Sequence, residues 1–368
     1  MFLKISNMKK FFSVLMMVFF CNVLFAQNDE VNLIKPIVES PAITGSQMRT
    51  FVAMNNYKNW GIIKLGLDST MRTKTGKGVK ICICDTGMPN HRDFNNGNIK
   101  LAESFIGGDG DVVDYNGHST HVGGIILEIA RESDLFFAKV LDKNGGGSIT
   151  GVAAGINWCV DSKADIINLS LGSSQPSPIM KKAIDRAIEK GILVIAAAGN
   201  EGQNPNGNSM GYPAKYEETI AIGSINKNLD VSYFSSSGEQ GDVVAPGESI
   251  LSTWLNDEYI ILSGTSMATP FVVGMAALKM EGGLDSVDFE RIFENSANDM
   301  MDPGFDNVSF WGYVTPKFYN ERDTSIVEPP VVENPNQKIT NWTPIIVGGV
   351  FIIILLLMFF KGKKNDGT

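Results

Sequence analysis

Five short apolar segments, almost free of polar residues, constrain the fold of this chain more than any other feature. They read VKICIC, LFFAKVL, DIINLSL, ILVIAAA and TIAIGSI, and they lie between residues 79 and 225 of the 368. Apolar runs of strand length are typical of strands buried on both faces, as strands are in parallel sheets. The segments therefore predict a mainly parallel sheet that is covered on both sides.

Helical patterns lie between these segments. Residues 178–190 carry apolar side chains at helical spacing, and Gly191 is well placed to end that helix. The apolar positions are Ile179, Ala183, Ile184, Ala187 and Ile188. The segment GGGSITGVAAGINWCV reads as a glycine loop followed by another helix. This alternation predicts an α/β fold of three layers, with helices on both faces of the sheet.

The N-terminal residues 1–26 have the pattern of a secretory signal peptide. A short positive region precedes an apolar run that ends at the small residue Ala26. Leu24 stands where a small residue is usual, so an uncleaved membrane anchor stays open as an alternative. A lipid anchor on Cys21 is less favoured, because the bulky Phe20 precedes it.

The other end of the chain also has a membrane pattern. Residues 342–360 carry no charge and are long enough to cross a bilayer, with Trp342 at one end and lysines in the tail 361–368. Residues 321–341 are rich in proline and polar residues and read as an extended linker. We therefore expect an exported, single-pass membrane protein whose central block, residues 53–320, lies outside the cytoplasm.

Charge and cysteines narrow the class of protein further. The net charge of −9 gives no electrostatic reason to expect nucleic-acid binding. Removal of the signal peptide leaves Cys82, Cys84 and Cys159. Cys82 and Cys84 point to one face of a predicted strand and are poorly placed to pair with each other. The favoured interpretation is that these cysteines are small buried hydrophobes.

A serine lies at a predicted helix start in the segment SGTSMATP, residues 263–270. Proline is tolerated in the first turn of a helix, so Pro270 places the helix start near Ser266. Backbone N–H groups and the helix dipole at such a terminus favour developing negative charge, which suits a nucleophile. The alternative is a serine that only caps the helix.

Two further polar residues are singled out by their position. Asp85 and Asn200 each come directly after an apolar strand, at the edge where parallel sheets bind ligands. Turn formation is the alternative role for both. The segment NGHSTHVGG, residues 116–124, adds His118 and His121, three residues apart.

Taken in chain order, Asp85, His118, Asn200 and Ser266 resemble the subtilisin-like serine proteases, or subtilases. The resemblance covers roughly residues 54–319 and includes the segments DTG, INLSLG, AAAGNEG, GYPAKY, FSSSG and VVAPG. It implies a subtilisin-like fold and a serine endopeptidase. Ser266 would be the nucleophile, His118 the general base and Asp85 its partner. Asn200 would complete the oxyanion hole, and His121 would be a packed neighbour.

The resemblance also implies a substrate groove that binds peptides as an added strand. Ser170, Leu171 and Gly172 would form one edge, and Gly145, Gly146 and Gly147 the other. The residues expected to line the P1 pocket are Ala197, Ala198, Gly199 and Gly211, with Glu201 at the rim. Because this lining is small, we expect large neutral P1 side chains, with Glu201 permitting some basic ones.

Three departures from the family pattern affect these expectations. Ser119 stands where the family has glycine; it either crowds its neighbours or hydrogen-bonds locally, and we expect activity to be retained. The helix after His118 runs directly into the next strand, so the usual loop for a structural calcium is missing. The spacing in GGDGDVVD does not fit an EF-hand, and a surface turn is the preferred interpretation. We therefore expect no cofactor.

The third departure concerns the lead-in, residues 27–52, which is far too short for the folded propeptide that secreted relatives carry. We expect the domain to fold without one, to act as a monomer and to take protein or peptide substrates.

Other functions remain as alternatives. Residues 91–98, HRDFNNGN, match a kinase catalytic loop, but the phosphate loop, strand lysine and DFG segment of a kinase are missing. The segment NHRDF also resembles a loop common in subtilases, which implies a structural role for His91. A metal site of Asp85, His118 and His121 is a further alternative, but the third partner and a general-base glutamate at metalloprotease spacing are missing. The strongest rival is an inert, membrane-anchored binding protein on a subtilase scaffold.

Overall fold

The computed structural model describes residues 30–39, 42–44, 46, 59–108, 110–204, 207–281, 292, 295–301 and 303–315. The predicted signal peptide, linker, apolar segment 342–360 and tail lie outside these residues. Among the residues that the structure does describe, no helix is long and apolar enough to cross a membrane.

A seven-stranded sheet forms the centre of the fold. Every neighbouring pair in it runs parallel. The strand order is β12 (Val243–Pro246), β11 (Ile220–Ile225), β10 (Leu193–Ala197), β8 (Ile166–Leu169), β4 (Lys80–Asp85), β6 (Asp134–Lys139) and β5 (Ile99–Ser104). The five apolar segments are the strands β4, β6, β8, β10 and β11, so the predicted parallel sheet is confirmed.

Helices cover both faces of this sheet. Two short helices, α1 (Trp60–Lys64) and α2 (Asp68–Met71), precede β4. The longer helices are α3 (His118–Ile129), α4 (Ile149–Asp161), α5 (Pro178–Glu189) and α6 (Thr265–Met280). Apolar residues of α3 and α6 pack with one face of the sheet, and those of α4 and α5 pack with the other. The three-layer α/β prediction is confirmed.

Helix α5 illustrates how local sequence sets the boundaries. Ser177 caps it by accepting a hydrogen bond from the Met180 N–H, and Pro178 occupies the first helical position. Gly191 follows with a φ of 73°, as predicted. The apolar face was predicted less well, because Ile179 is 54% exposed while Met180 is buried.

Short strands form two smaller antiparallel sheets. One contains β13 (Ile250–Thr253), β14 (Glu258–Ser263), β2 (Ile37–Val38) and β3 (Ile43–Thr44). The other has the order β7 (Gly146–Ser148), β1 (Glu30–Leu33) and β9 (Leu171–Gly172). Strands β1, β2 and β3 come from the lead-in, which therefore pairs directly with the domain at residues 53–320.

The structure corrects the interpretation of the cysteines. Cys82 and Cys84 do share one face of β4, because side chains alternate along a strand. That face packs against α4, and Cys82 forms a disulfide with Cys159 of that helix. The small-hydrophobe interpretation holds only for Cys84, whose buried thiol is free and lies 3.5 Å from the Cys159 sulfur.

Candidate active site

Asp85 and His118 meet at the carboxyl end of the sheet. Asp85 is the last residue of β4, and His118 is the first of α3. The His118 Nδ1 lies 2.8 and 2.9 Å from the two Asp85 carboxylate oxygens, and both residues are buried. The contact fixes the imidazole ring and leaves Nε2 as the nitrogen available for proton transfer.

The turn before α3 is organised by Asp114, whose role the sequence did not reveal. The GGDGDVVD segment reads as a surface turn, yet Asp114 is only 2% exposed. Its carboxylate accepts hydrogen bonds from the Gly117 N–H, from the Thr120 N–H and hydroxyl, and from the Thr86 hydroxyl. The surface-turn interpretation is wrong for Asp114, because its carboxylate satisfies the buried donors that start the His118 helix.

Asn116 and Ser119 flank the histidine. The Asn116 side-chain oxygen accepts from the His118 N–H, and its amide nitrogen donates to the Lys143 carbonyl. The Ser119 N–H donates to the Thr86 hydroxyl at 3.1 Å. Its own hydroxyl is buried and has no hydrogen-bond partner among the described residues, so the local bond considered for it is not formed.

Ser266 is the second residue of α6, which begins at Thr265. The predicted helix start is confirmed, but Pro270 lies beyond the first turn. Its missing N–H leaves the Ser266 carbonyl without the usual intrahelical donor. The Ser170 hydroxyl lies 3.2 Å from that carbonyl and donates to it, which is why the proline is tolerated there.

The Ser266 hydroxyl faces backbone carbonyls rather than the imidazole. Its Oγ lies 3.2 Å from the Ile34 carbonyl oxygen and 3.3 Å from that of Ser170. The His118 Nε2 is buried and has no hydrogen-bond partner among the described residues. Ser170, whose carbonyl contacts Ser266, follows β8, and β8 is the neighbour of the strand that ends at Asp85, so Ser266 and the Asp85–His118 pair lie at the same edge of the sheet. The hydrogen bond between Ser266 and His118 that proton transfer requires is not formed in this structure.

Asn200 is held beside Ser266 by a residue that the sequence analysis missed. Its side-chain oxygen accepts from both the N–H and the hydroxyl of Thr265, each at 3.0 Å. The Thr265 hydroxyl also lies 3.2 Å from the Gly199 nitrogen and accepts its N–H. The Asn200 amide nitrogen is left to donate to the Lys35 carbonyl at 3.1 Å.

The two predicted groove edges face each other across a strand of the chain itself. Strand β1 is antiparallel to β7 on one side and to β9 on the other. Asn32 is aligned with Gly146 and with Gly172, and the Leu33 N–H donates to the Gly145 carbonyl at 2.8 Å. Both edges therefore have the spacing and hydrogen-bonding groups that an extended peptide needs.

The residues predicted for the P1 pocket also come together. Ala197 and Ala198 are buried at the carboxyl end of β10. The Gly211 N–H donates to the Ala198 carbonyl at 3.1 Å, which brings the two segments into contact. Glu201 is exposed, and its backbone N–H donates to the Ser236 hydroxyl.

The remaining histidines make structural contacts. Burial, and secondarily the neighbouring His118, lowers the pKa of His121 to about 3. This neutral ring donates from Nε2 to the Ile260 carbonyl at 3.2 Å. His91 is buried too; its Nε2 lies 3.2 Å from the Glu258 carbonyl, and its Nδ1 accepts from the Asp93 N–H. The structural roles expected for His121 and His91 agree with these contacts.

Comparisons with known proteins give a consistent picture. The model of the subtilase family matches residues 76–312. Subtilisin Savinase from Lederbergia lenta is 39% identical over 229 residues, which cover 60% of this chain and 82% of that protein. M-protease from Shouchella clausii is 36% identical over 265 residues, which cover 69% of this chain and 67% of that protein. Subtilisin DY from Bacillus licheniformis is 40% identical over 213 residues, which cover 55% of this chain and 77% of that protein.

Proposed function

Because this chain belongs to the subtilase family and is a serine-type endopeptidase, we propose that it hydrolyses peptide bonds through Asp85, His118 and Ser266. One observation carries this assignment: the buried Asp85–His118 contact of 2.8 Å lies at the end of β4, and Ser170, which contacts the Ser266 hydroxyl, follows the neighbouring strand β8 at the same edge of the sheet. An aspartate, an imidazole and a hydroxyl in this order are the groups that acyl transfer needs.

The proposed reaction has two halves. When Ser266 Oγ attacks the substrate carbonyl carbon, His118 Nε2 takes the hydroxyl proton, and Asp85 stabilises the imidazolium through Nδ1. The C–N bond then breaks as His118 returns the proton to the leaving amine. A water molecule then attacks the acyl-enzyme in the same way, with His118 as the proton acceptor and then donor, which releases the acid and restores the Ser266 hydroxyl.

Asn200 is proposed to stabilise the oxyanion together with the backbone N–H of Ser266. Its amide nitrogen already donates to a carbonyl oxygen in the groove, which is the interaction that a tetrahedral intermediate would strengthen. Removing such a donor lowers kcat by about 10²–10³, a magnitude established on subtilisin rather than on this chain.

The proposed substrates are extended segments of proteins or peptides. The two glycine-containing edges supply the backbone pairing, and the small pocket residues leave room for a large neutral P1 side chain, with Glu201 able to attract basic ones. Profiling the enzyme with a peptide library that varies P1 tests this preference. Dominance of aspartate or glycine at P1 would contradict it.

The proposed location is outside the cytoplasm, in an exported chain that is anchored by residues 342–360. The signal-like residues 1–26 and the uncharged C-terminal stretch followed by lysines support this. Removing residues 342–368 should release the peptidase from the membrane fraction. Retention of the shortened chain in that fraction would contradict a C-terminal anchor.

The enzymatic assignment is tested by prolonged labelling of the folded chain with a fluorophosphonate, which reacts with activated serines. We expect labelling that reaches completion in the native chain and is lost in Ser266→Ala. No labelling of folded protein would instead favour the inert binding protein.

A further inference from the structure

Asn168 is a polar residue in the interior of the central sheet. It is the third residue of β8, whose four residues are all buried and which lies between β10 and β4. Side chains alternate along a strand, and those of Ile167 and Leu169 pack with α4 and α5. The Asn168 side chain therefore points to the opposite face of the sheet, where α6 carries Ser266.

The side-chain amide of Asn168 is linked to Ser266 through Ser170. Its Nδ2 lies 3.1 Å from the Ser170 Oγ. The Ser170 hydroxyl donates its single proton to the Ser266 carbonyl at 3.2 Å, so towards Asn168 its oxygen can only accept. This requirement fixes the orientation of the amide and makes a directed chain of hydrogen bonds from Asn168 to Ser170 and from Ser170 to Ser266.

Ser170 contacts both the backbone and the side chain of Ser266. The carbonyl to which its hydroxyl donates is the one that Pro270 leaves without an intrahelical donor. The carbonyl of Ser170 in turn lies 3.3 Å from the Ser266 Oγ. If the Ser170 hydroxyl turned away, the Ser266 carbonyl would lose this donor, and the start of α6 would be held less firmly.

Fold stability alone does not account for an asparagine at this position. The Asn168 Oδ1 is buried and has no hydrogen-bond partner among the described residues. A buried oxygen without a donor lowers stability, and an apolar side chain would occupy this buried strand without that cost. What an apolar side chain could not do is donate to Ser170, and this contact gives the asparagine a role at the site.

We infer that Asn168 is a positioning residue for Ser266, which acts through the Ser170 hydroxyl without touching the substrate. This inference rests on the proposed function, in which Ser266 is the nucleophile. Without the Asn168 donor, the Ser170 hydroxyl is free to turn, and the reacting serine is oriented less precisely. Because reaction rates depend steeply on the placement of the reacting atoms, the loss should appear in kcat rather than in KM.

The test compares Asn168→Leu with Asn98→Leu in the full chain. Asn98 is a matched control, because it is also a buried asparagine whose Oδ1 has no partner among the described residues, but it precedes β5 at the opposite edge of the sheet. We expect Asn168→Leu to lower kcat and the rate of fluorophosphonate labelling about ten-fold or more. Asn98→Leu should keep both rates, even if its melting temperature falls.

A double-mutant cycle shows whether Asn168 acts through Ser170. Ser170→Ala removes the hydroxyl that links the other two residues, so it should slow both reactions at least as much as Asn168→Leu does. Adding Asn168→Leu to Ser170→Ala should then change kcat by less than about two-fold, because the link is already broken. Asn168→Ala, with Asn98→Ala as its control, replaces the leucine pair if leucine does not fit. Circular dichroism and thermal melting check that each variant is folded.

Three results would overturn the inference while leaving the enzyme intact. The first is a native kcat and labelling rate in folded Asn168→Leu or Asn168→Ala. The second is a loss that appears in KM alone, and the third is a double variant in which the two single effects multiply. If the folded native chain shows no labelling that depends on Ser266, it is the proposed function that fails, and the inference fails with it.

Discussion

Thr265 holds Asn200 by two hydrogen bonds, one from its N–H and one from its hydroxyl, both 3.0 Å long. The same hydroxyl accepts from Gly199, so one buried side chain links the proposed oxyanion donor to the pocket wall. Thr265 is thus a positioning residue in this account. A residue that acts in this way should affect the transition state more than substrate binding.

Thr265→Val removes the hydroxyl and keeps the shape of the side chain, so we expect kcat to fall about ten-fold. KM should change little, because the groove edges are untouched. Thr265→Ser restores the hydroxyl and should recover most of the lost kcat. A loss that appears only in KM, or one that serine does not rescue, would contradict this role.

His121 predicts a specific dependence of stability on pH. Burial lowers its pKa to about 3, whereas an unfolded histidine titrates near 6.5. Between these values the unfolded chain binds a proton that the folded chain does not. The contribution of neutral His121 to the free energy of unfolding is therefore complete above about pH 6.5, and it is lost as the pH falls towards 3.

This dependence is measured as the free energy of unfolding at several pH values. His121→Gln cannot take up that proton, so its stability should fall less steeply between pH 6.5 and pH 4 than that of the native chain. Parallel pH profiles for the two proteins would contradict the assignment, since other titrating groups contribute equally to both.

Ser119 carries a buried hydroxyl without a partner among the described residues. Leaving such a group unpaired typically costs about 1–3 kcal/mol, and alanine is the better helix former. Ser119→Ala should therefore raise the melting temperature, by roughly 2–4 °C for each kcal/mol gained, with unchanged kcat. A large loss of activity would show that the hydroxyl takes part in the site.

The Cys82–Cys159 disulfide joins β4 to α4 across a separation of 77 residues. Closing a loop of this length stabilises a fold by about 4 kcal/mol in the chain-entropy estimate. The double change Cys82→Ala, Cys159→Ala should lower stability strongly, and Cys84→Ala much less. Burial raises the pKa of the Cys84 thiol, so Cys84 should not react with thiol reagents in the native protein. A disulfide that is missing from non-reducing peptide maps would contradict the pairing.

The central sheet could be predicted from the sequence because a strand that is buried on both faces is recognisable as a continuous apolar segment. A strand such as β10 must be apolar throughout, and all five segments with this pattern became strands of the parallel sheet. Asp85 and Asn200 were found for a related reason. Asp85 is the last residue of such a strand, and Asn200 lies three residues beyond the end of another, at the edge where a site can form.

The short strands of the lead-in and the role of Asp114 could not be predicted, because both depend on contacts between residues that are distant in the sequence. Strands β1 and β2 are short and largely exposed, and they exist because edges formed elsewhere offer backbone pairing. Asp114 lies in a segment that is otherwise typical of a surface turn. Its burial is set by the donors of Thr86 and Thr120, which only the folded chain brings to it.

The central claim, that Ser266 is the nucleophile of a peptidase, is tested most directly by locating the fluorophosphonate adduct by mass spectrometry after prolonged labelling of the folded chain. We expect a single adduct on Ser266. The adduct should be lost in His118→Ala, because the proton acceptor is then missing. An adduct on another serine, or labelling that does not depend on His118, would contradict the assignment.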